Sequence, residues 1–515
     1  MCDKIYTHYT KEGAILANQV QIFVLEIYDD IDEFLNFLSL TNPEIDKRKI
    51  KSVLTKMPLP LSIVFEPYYV DKLYRDTYYI YYSSKHIEYS RNCQRISFFS
   101  GDFKLDDFYY SEKFECLSQA LIGTMVLRPL SNRTVGRTLI DPTKLNNIDA
   151  YIRTTTFSVE ILGNIFLINA FPFSSQDSEV MTCAETTVWN LVEYYGTRYS
   201  EYRTILPSEM FNKLDDISSE RILPSEGLDY FRVANLLKVF SFAPRLYADT
   251  VYDKHILKML FHYYIESGIP LAMGIEGENN GDEVRHSIIG IGHATEQIAL
   301  DKITINHKET VPIIDSSQLY EKYVIIDDNQ IPYTIENFND LTLYQNSKLC
   351  IFAAPLYKRI FLDASNARDI IYECLDSLHI WNFIKEQTPD LSDKNPIIIR
   401  IFLTSSRKYK SYRLHHLYPK ELRESYARIH FPKFLWVAEI STYDLYQDKK
   451  ILGEIVIDAT SNRHDLSNSI ILIKYKSLLG FGQKNQTVED FLHNIDEYDN
   501  IDVPYDLYEN NLLEA

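Results

Sequence analysis

Cys183 is the third residue of the run MTCAETTVWNLVEYYG (181–196), and its place in that run is what could give it chemistry. Thr182 and Glu185 match the S/T-x-x-E spacing of a capping box, which predicts Thr182 as N-cap and Cys183 as the first helical residue. Val188, Trp189, Leu191, Val192 and Tyr195 supply an apolar face, and Gly196 is expected to be a left-handed stop. A thiol with a pKa of ~8.5 is only a few per cent thiolate at neutral pH. A helix N-terminus adds ~0.3–1 kcal/mol at an exposed site, less than the ~1.4 kcal/mol of one pKa unit. The helix alone therefore makes no strong nucleophile, whereas a neighbouring imidazole does, by forming a thiolate–imidazolium pair.

His286 is the first choice for that imidazole. It opens the apolar run SIIGIG within GDEVRHSIIGIGHA (281–294), which reads as a buried strand following another, SGIPLAMGIEG. A histidine at the mouth of a core strand is held rigidly while its ring stays reachable. His255 and His262 fall in a helical pattern and read as face residues, and His293 reads as a turn histidine. An orienting acid is expected at the end of the strand in EKYVIIDDNQIPY (321–333), with Asp327 first, Asp328 second and Asp315 a weaker third. Successive strand residues face opposite ways, so only one of Asp327 and Asp328 is expected to reach the ring. Gln176, upstream of Cys183 in FPFSSQDSEVMTC, is the candidate oxyanion donor together with the Cys183 backbone N–H. Taken singly, each residue also has an ordinary reading: a packed core histidine, a turn, a loop glutamine.

The ordered set resembles the papain-like cysteine peptidases, and most closely their bacterial double-glycine-leader (bacteriocin-processing) branch and its soluble relatives. The resemblance is carried by Gln176, Cys183, VEYYG, SGIPLAMGI, HSIIGIG and YVIIDD, and covers about 171–333. It implies Cys183 as nucleophile, His286 as base, Asp327 or Asp328 as orienter and Gln176 as oxyanion donor, with no cofactor or metal. It implies a protein or peptide substrate and a thioester acyl-enzyme. The alternatives are a deamidase or transglutaminase-like acyl transferase acting on side chains, and a non-catalytic binding scaffold. Ala184 stands where the family has glycine, and the Gln–Cys spacing is one residue longer than usual in that branch. The His–Asp interval is also long, which makes 295–322 an inserted hairpin or flap.

The elements that would position these residues fall into three regions, α+β overall. Residues 1–150 read as an N-terminal α/β accessory domain, 151–355 as the papain-like domain with a helix-rich half before an antiparallel sheet half, and 356–515 as a C-terminal α+β domain. The tail after Lys484 carries nine acids and no Lys or Arg, and is expected to be solvated or partly disordered. Arg128, Arg133 and Arg137 read as surface or interdomain ion-pair partners, with an anion or partner site as the alternative. Eight Lys/Arg interleaved with Tyr and His between 407 and 433 read as a solvated loop, with single-stranded nucleic acid as the weaker alternative. The 515 residues carry a net charge of −19, which disfavours nonspecific nucleic-acid binding. No segment is apolar enough to span a membrane, and the first residues lack a secretory pattern, so a cytoplasmic protein is expected. Six cysteines without CxxC spacing fit neither a zinc framework nor a disulfide scaffold. The flanking regions are candidate surfaces for a homo-oligomer or a regulatory partner.

Overall fold

The computed structural model describes residues 19–130, 134–218, 221–225, 227–377, 379–416, 420–462, 469–482, 495–498 and 501–515, and Arg133 lies outside them. The chain is a mixed α+β protein built on three main sheets. The first has Gln21–Leu25, Leu61–Tyr69, Cys93–Ser100, Leu121–Leu127 and Val135–Ile140 side by side in chain order, every pair antiparallel. The α/β character expected for 1–150 is therefore replaced by an antiparallel meander. Only the Leu127-to-Val135 return is short; the other three connections carry helices, yet each brings the chain back antiparallel beside the strand before it. Alternate residues serve two cores: Ile63, Phe65 and Phe98 pack under the helices Asp30–Thr41, Lys47–Leu54 and Lys72–Ile80. Val64, Phe99 and Leu139 instead face the hairpin Thr155–Ile161/Asn164–Ala170.

The second sheet runs Thr334–Asn337, Lys322–Ile326, Asp282–Ala294, Leu271–Asn279, Gln345–Tyr357 and Phe242–Ala248, all antiparallel. Both of its faces are covered, which is why its strands read as continuous apolar runs. Ala272, Ile289, Ile291 and Val324 join the core that holds the Cys183–Arg198 helix. Met273, Ile288, Tyr323 and Ile325 join the core of the Lys254–Glu266 helix, which stops at Gly268 with φ +65°. The first core extends from Leu25 to Ala353 and the second from Tyr247 to Tyr475, so residues on both sides of positions 150 and 355 pack together.

In the third sheet Asn306–Lys308 and Val311–Asp315 form a hairpin that pairs in parallel with Ile397–Ser405. The stretch 295–322 thus contains the expected hairpin, and it stitches the second sheet to the third. The tail expected to be solvated is built in from residue 501 onward. Tyr505–Asp506 pairs with Lys450–Ile451, and Leu513–Glu514 pairs with Ala150–Ile152, itself beside Asp282–Ala294. Residues 485–494, 499 and 500 of that tail lie outside the described residues. Tail carbonyls explain the packing: Tyr508 O accepts from Arg400 Nη1 and Asp506 O from Arg413 Nη1, at 2.8 and 2.7 Å.

The basic stretch 407–433 forms the helices Ser406–His416 and Lys420–Arg428, with 417–419 outside the described residues. Tyr409, Tyr426 and Arg413 turn inward, since an amphipathic helix hides Arg when carboxylates wait beneath it. Arg413 Nη2 reaches Glu439 at 2.6 Å and Glu454 at 2.7 Å. Among the described residues no helix is long and apolar enough to cross a membrane. Removing one member of a buried ion network strands the others. Arg413→Met is expected to lower stability by about 3–5 kcal/mol, whereas Lys420→Met, which breaks a surface pair with Glu424, is expected to change it by less than ~1 kcal/mol. Urea denaturation compares the two, and equal midpoints would show that the network adds nothing.

Candidate active site

The chain enters the Cys183–Arg198 helix through a constrained loop. Arg128 Nη2 donates to the carbonyls of Ser175 and Gln176 at 3.0 and 3.2 Å. Asp177 Oδ1 accepts the backbone N–H groups of Glu179, Val180 and Met181 at 3.0, 2.7 and 2.8 Å. Thr182 is extended and the helix begins at Cys183. The expected capping box is not formed. Thr182 gives its hydroxyl to the Glu185 carboxylate, which also receives the Ser225 hydroxyl. Glu185 is fully buried, so two short hydroxyl donors serve it better than a distant backbone N–H. Burial raises its pKa against the opposing pull of Ser225 and Thr182. Thr182 therefore leaves the first-turn N–H groups to whatever anion forms at Cys183, which is itself half-buried.

Gly196 is not a left-handed stop, because the helix continues to Arg198 and caps at Tyr199. A Cβ at Gly196 would lie 2.4 Å from the Arg203 backbone, so the glycine permits a close approach. The helix is also not amphipathic in place: every residue from Ala184 to Tyr195 is buried. The second sheet, the Thr155–Ile161 strand and the Tyr230–Val239 helix pack around it, and from the first sheet Arg137 Nη2 reaches Glu193 Oε1 at 2.9 Å.

His286 lies on the Asp282–Ala294 strand opposite Ile275, and its ring is buried. Asp327 and Asp328 follow directly on Lys322–Ile326. His286 Nε2 is 2.7 Å from Asp327 Oδ1 and 3.3 Å from Asp328 Oδ1. Both acids reach the ring, contrary to strand alternation, because the strand ends at Ile326 and the chain turns. Gln330 N donates to Asp327 O at 3.0 Å, and Asn329 N to Asp327 Oδ1 at 2.9 Å. The Cys183 side chain lies beside the same imidazole and favours its charged form. With Nε2 held by the carboxylates, Nδ1 is the nitrogen left for sulfur. Burial favours the neutral ring, yet Asp327, the Cys183 contact and the charge of Asp328 together outweigh it and push the His286 pKa up to about 11. The imidazole is thus held protonated beside the thiol.

The other candidates separate clearly. Asp315 belongs to a different cluster, accepting the Tyr263 hydroxyl and the backbone and side chain of Ser317. His255 and His262 lie on the Lys254–Glu266 helix, His255 exposed and His262 on the buried face, while His293 is a buried strand residue rather than a turn one, its Nε2 2.9 Å from Glu266. Gln176 Nε2 donates to Asn329 Oδ1 at 2.8 Å, and Asn329 Nδ2 lies 3.4 Å from His286 Nε2. Gln176 therefore reaches the ring through Asn329.

Sequence reasoning did not assign Asn329, Tyr344 or Lys49. The Tyr344 ring stands edge-on to His286 at 5.8 Å. Lys49 arrives from Lys47–Leu54, its Nζ 3.2 Å from Ser175 Oγ and 3.3 Å from Asp328 O. Asn329 was legible as the residue after two acids, whereas nothing in the local pattern around Lys49 points across 279 positions. An open cleft of about 560 Å³, lined by Ile45 to Lys49 and Asn329, leads toward this cluster.

His286, Asp327 and Asp328 also bring one ligand atom each within 4.8 Å of one another, a spacing a divalent cation can use. The 2.7 Å His286–Asp327 contact is made through a proton that such an ion must displace. A scan against protein-family models matches no family, and a search of curated proteins finds no matching relative.

The His286 pKa is higher in the folded chain than its ordinary ~6.5 in an unfolded one, so the ring's stabilisation is complete below ~6.5 and fades as pH rises toward about 11. Thermal melts from pH 7 to 10.5 should fall more steeply for the wild type than for His286→Gln, and parallel curves would contradict a protonated ring. Asp327→Asn is expected to slow iodoacetamide labelling of Cys183 at pH 7 by about tenfold or more, read by peptide mass spectrometry. Labelling unaffected by a chelator separates the proton-bridged pair from a metal-dependent one.

Proposed function

We propose that the protein is a papain-like cysteine peptidase. The observation that supports this most is one buried imidazole held at Nε2 by the Asp327 carboxylate at 2.7 Å, with the Cys183 side chain beside it favouring its charged form. The order of the three groups in the chain and the helix that starts at Cys183 add to it.

In this reading the Cys183 proton resides on His286, and the imidazolium is stabilised by Asp327. The thiolate adds to a peptide carbonyl carbon, and the oxyanion meets the Cys183 backbone N–H at the helix start, with the Gln176 amide as the second donor. His286 passes its proton to the departing amine, the C–N bond breaks, and a thioester remains. Water then gives a proton to His286 and its oxygen to the acyl carbon, the C–S bond breaks, and release of the acid restores the thiolate–imidazolium pair. Asn329 fixes the spacing between Gln176 and the ring, and Lys49 ties the Ser175 loop to the Asp328 carbonyl.

A substrate approaching by the cleft beside Asn329 passes Lys47, Arg48 and Lys49, which favours acidic peptides. Incubation with an acid-rich peptide library should give new termini with wild-type protein and none with Cys183→Ala, a loss of at least ~10³-fold. A gain of about one dalton without cleavage assigns the same apparatus to side-chain amides instead. Wild-type Cys183 that alkylates no faster than free cysteine at pH 7 would falsify both chemistries.

A further inference from the structure

We propose that the cleft between the Tyr199 end of the Cys183–Arg198 helix and the start of the Ser406–His416 helix binds a mononucleotide. This site is separate from the cysteine cluster, since it lies at the opposite end of a 16-residue helix, about 24 Å from Cys183 at ~1.5 Å per residue.

The cleft encloses about 390 Å³, within the ~300–1,000 Å³ range of small-molecule sites. Its walls are aromatic from two directions. Tyr195 and Tyr202 come from the cysteine helix and the turn after it, Tyr357 and Phe434 from the strands opposite. Tyr202 is stacked on Phe242 and Tyr357 carries Lys433 over its ring, so the lining offers aromatic surface to a planar ring system.

The floor is cationic without a matching acid. Arg153 is buried and donates to the Tyr194 and Tyr199 hydroxyls, at 2.6 and 3.0 Å, and to the Asn511 carbonyl, none of them a carboxylate. Lys408 lies beside it, and the groups that act on its ammonium are Arg153, Tyr199 and Arg198, with no carboxylate among them. Burial first, then Arg153, bring the Lys408 pKa down to about 8. Burial would raise that of the Tyr199 hydroxyl, yet Arg153, Arg198 and Lys408 outweigh it and bring the pKa down to about 7. The acid in the wall, Glu201, is already taken by Lys433 at 3.1 Å. Such a concentration of positive charge in a chain of net charge −19 calls for an anion.

Ser405, Ser406 and the first turn of the eleven-residue helix Ser406–His416 border the same floor. Hydroxyls, a lysine and a helix N-terminus together suit a phosphate group. Arg153 and Asn511 also line the cleft, whose volume suits a single nucleotide. This gives the basic, tyrosine-rich stretch around 407–433 a place in the molecule that nonspecific nucleic-acid binding does not.

Calorimetric titration of the full chain with the four ribonucleoside 5′-monophosphates, adenosine and inorganic phosphate tests the assignment. At least one monophosphate should bind, with adenosine and inorganic phosphate at least about tenfold weaker, because each supplies only half of the contacts. Lys408→Met should weaken that binding by at least about tenfold, as should Tyr357→Ala, while Lys420→Met leaves it unchanged. Removing Lys408 relieves repulsion with Arg153, so this variant is expected to fold, which its melting curve checks; Tyr357→Ala carries the test if it does not. No binding by any monophosphate at millimolar concentration overturns the proposal. So does phosphate or adenosine binding as tightly as the nucleotide, or a nucleotide affinity untouched by either variant.

Discussion

Burial of the Cys183–Arg198 helix on every side is the constraint on which the other elements depend. A solvent-facing helix can leave its polar residues to water, but this one holds Glu185, Asn190 and Glu193 inside the protein. Each acid needs an internal partner, since a buried charge left alone is costly. Glu185 takes hydroxyls from Thr182 and Ser225, and Glu193 takes Arg137 from the first sheet. The meander of residues 21–140 is therefore part of the wall around the cysteine helix. Its Arg128 and Lys49 also set the loop that leads into Cys183.

Two further groups of buried charge follow the same logic at other places. Around His286, two carboxylates stabilise one imidazolium. On the third sheet Arg400 and Arg413 stand among Glu266, Glu439 and Glu454, and Glu266 carries that network back to the second sheet through His293. The cationic floor near Lys408 is the exception, having cations without acids. Overall acidity of the chain thus says little about the sign of the field at any one cavity.

Residues governed by their own strand or helix were legible in the sequence. The starts of the cysteine helix and of the Lys254–Glu266 helix, the strand bearing His286 and the strand ending before Asp327 all follow from apolar period and turn chemistry. Errors arose where a distant segment changed the local problem. Thr182 left its capping role because Ser225 and Glu185 offered a better partner set, and Gly196 became a contact point for Arg203. The polar face of the cysteine helix was real in sequence but met distant partners, Ser225 at Glu185 and Arg137 at Glu193, that local pattern cannot dock. The acidic tail misled because its side-chain charge says nothing of its carbonyls, which are what Arg153, Arg400 and Arg413 bind. Lys49 lies far from its partners in the chain, and its role depends wholly on how sheets meet.

The return of residues 501–515 to the second sheet sets an order of events during synthesis. Cys183 leaves the ribosome 328 residues before Asn511, which at ~5–20 residues per second is a delay of roughly 15–65 s. Through that interval Ala150–Ile152 lacks the strand Leu513–Glu514, and the Glu266 and Leu403 carbonyls lack the Asn511 amide at 3.0 and 3.2 Å. The nascent chain accordingly exposes its cysteine long before the surrounding sheet is closed. Translation itself acts as a timer on when this thiol first meets its finished environment.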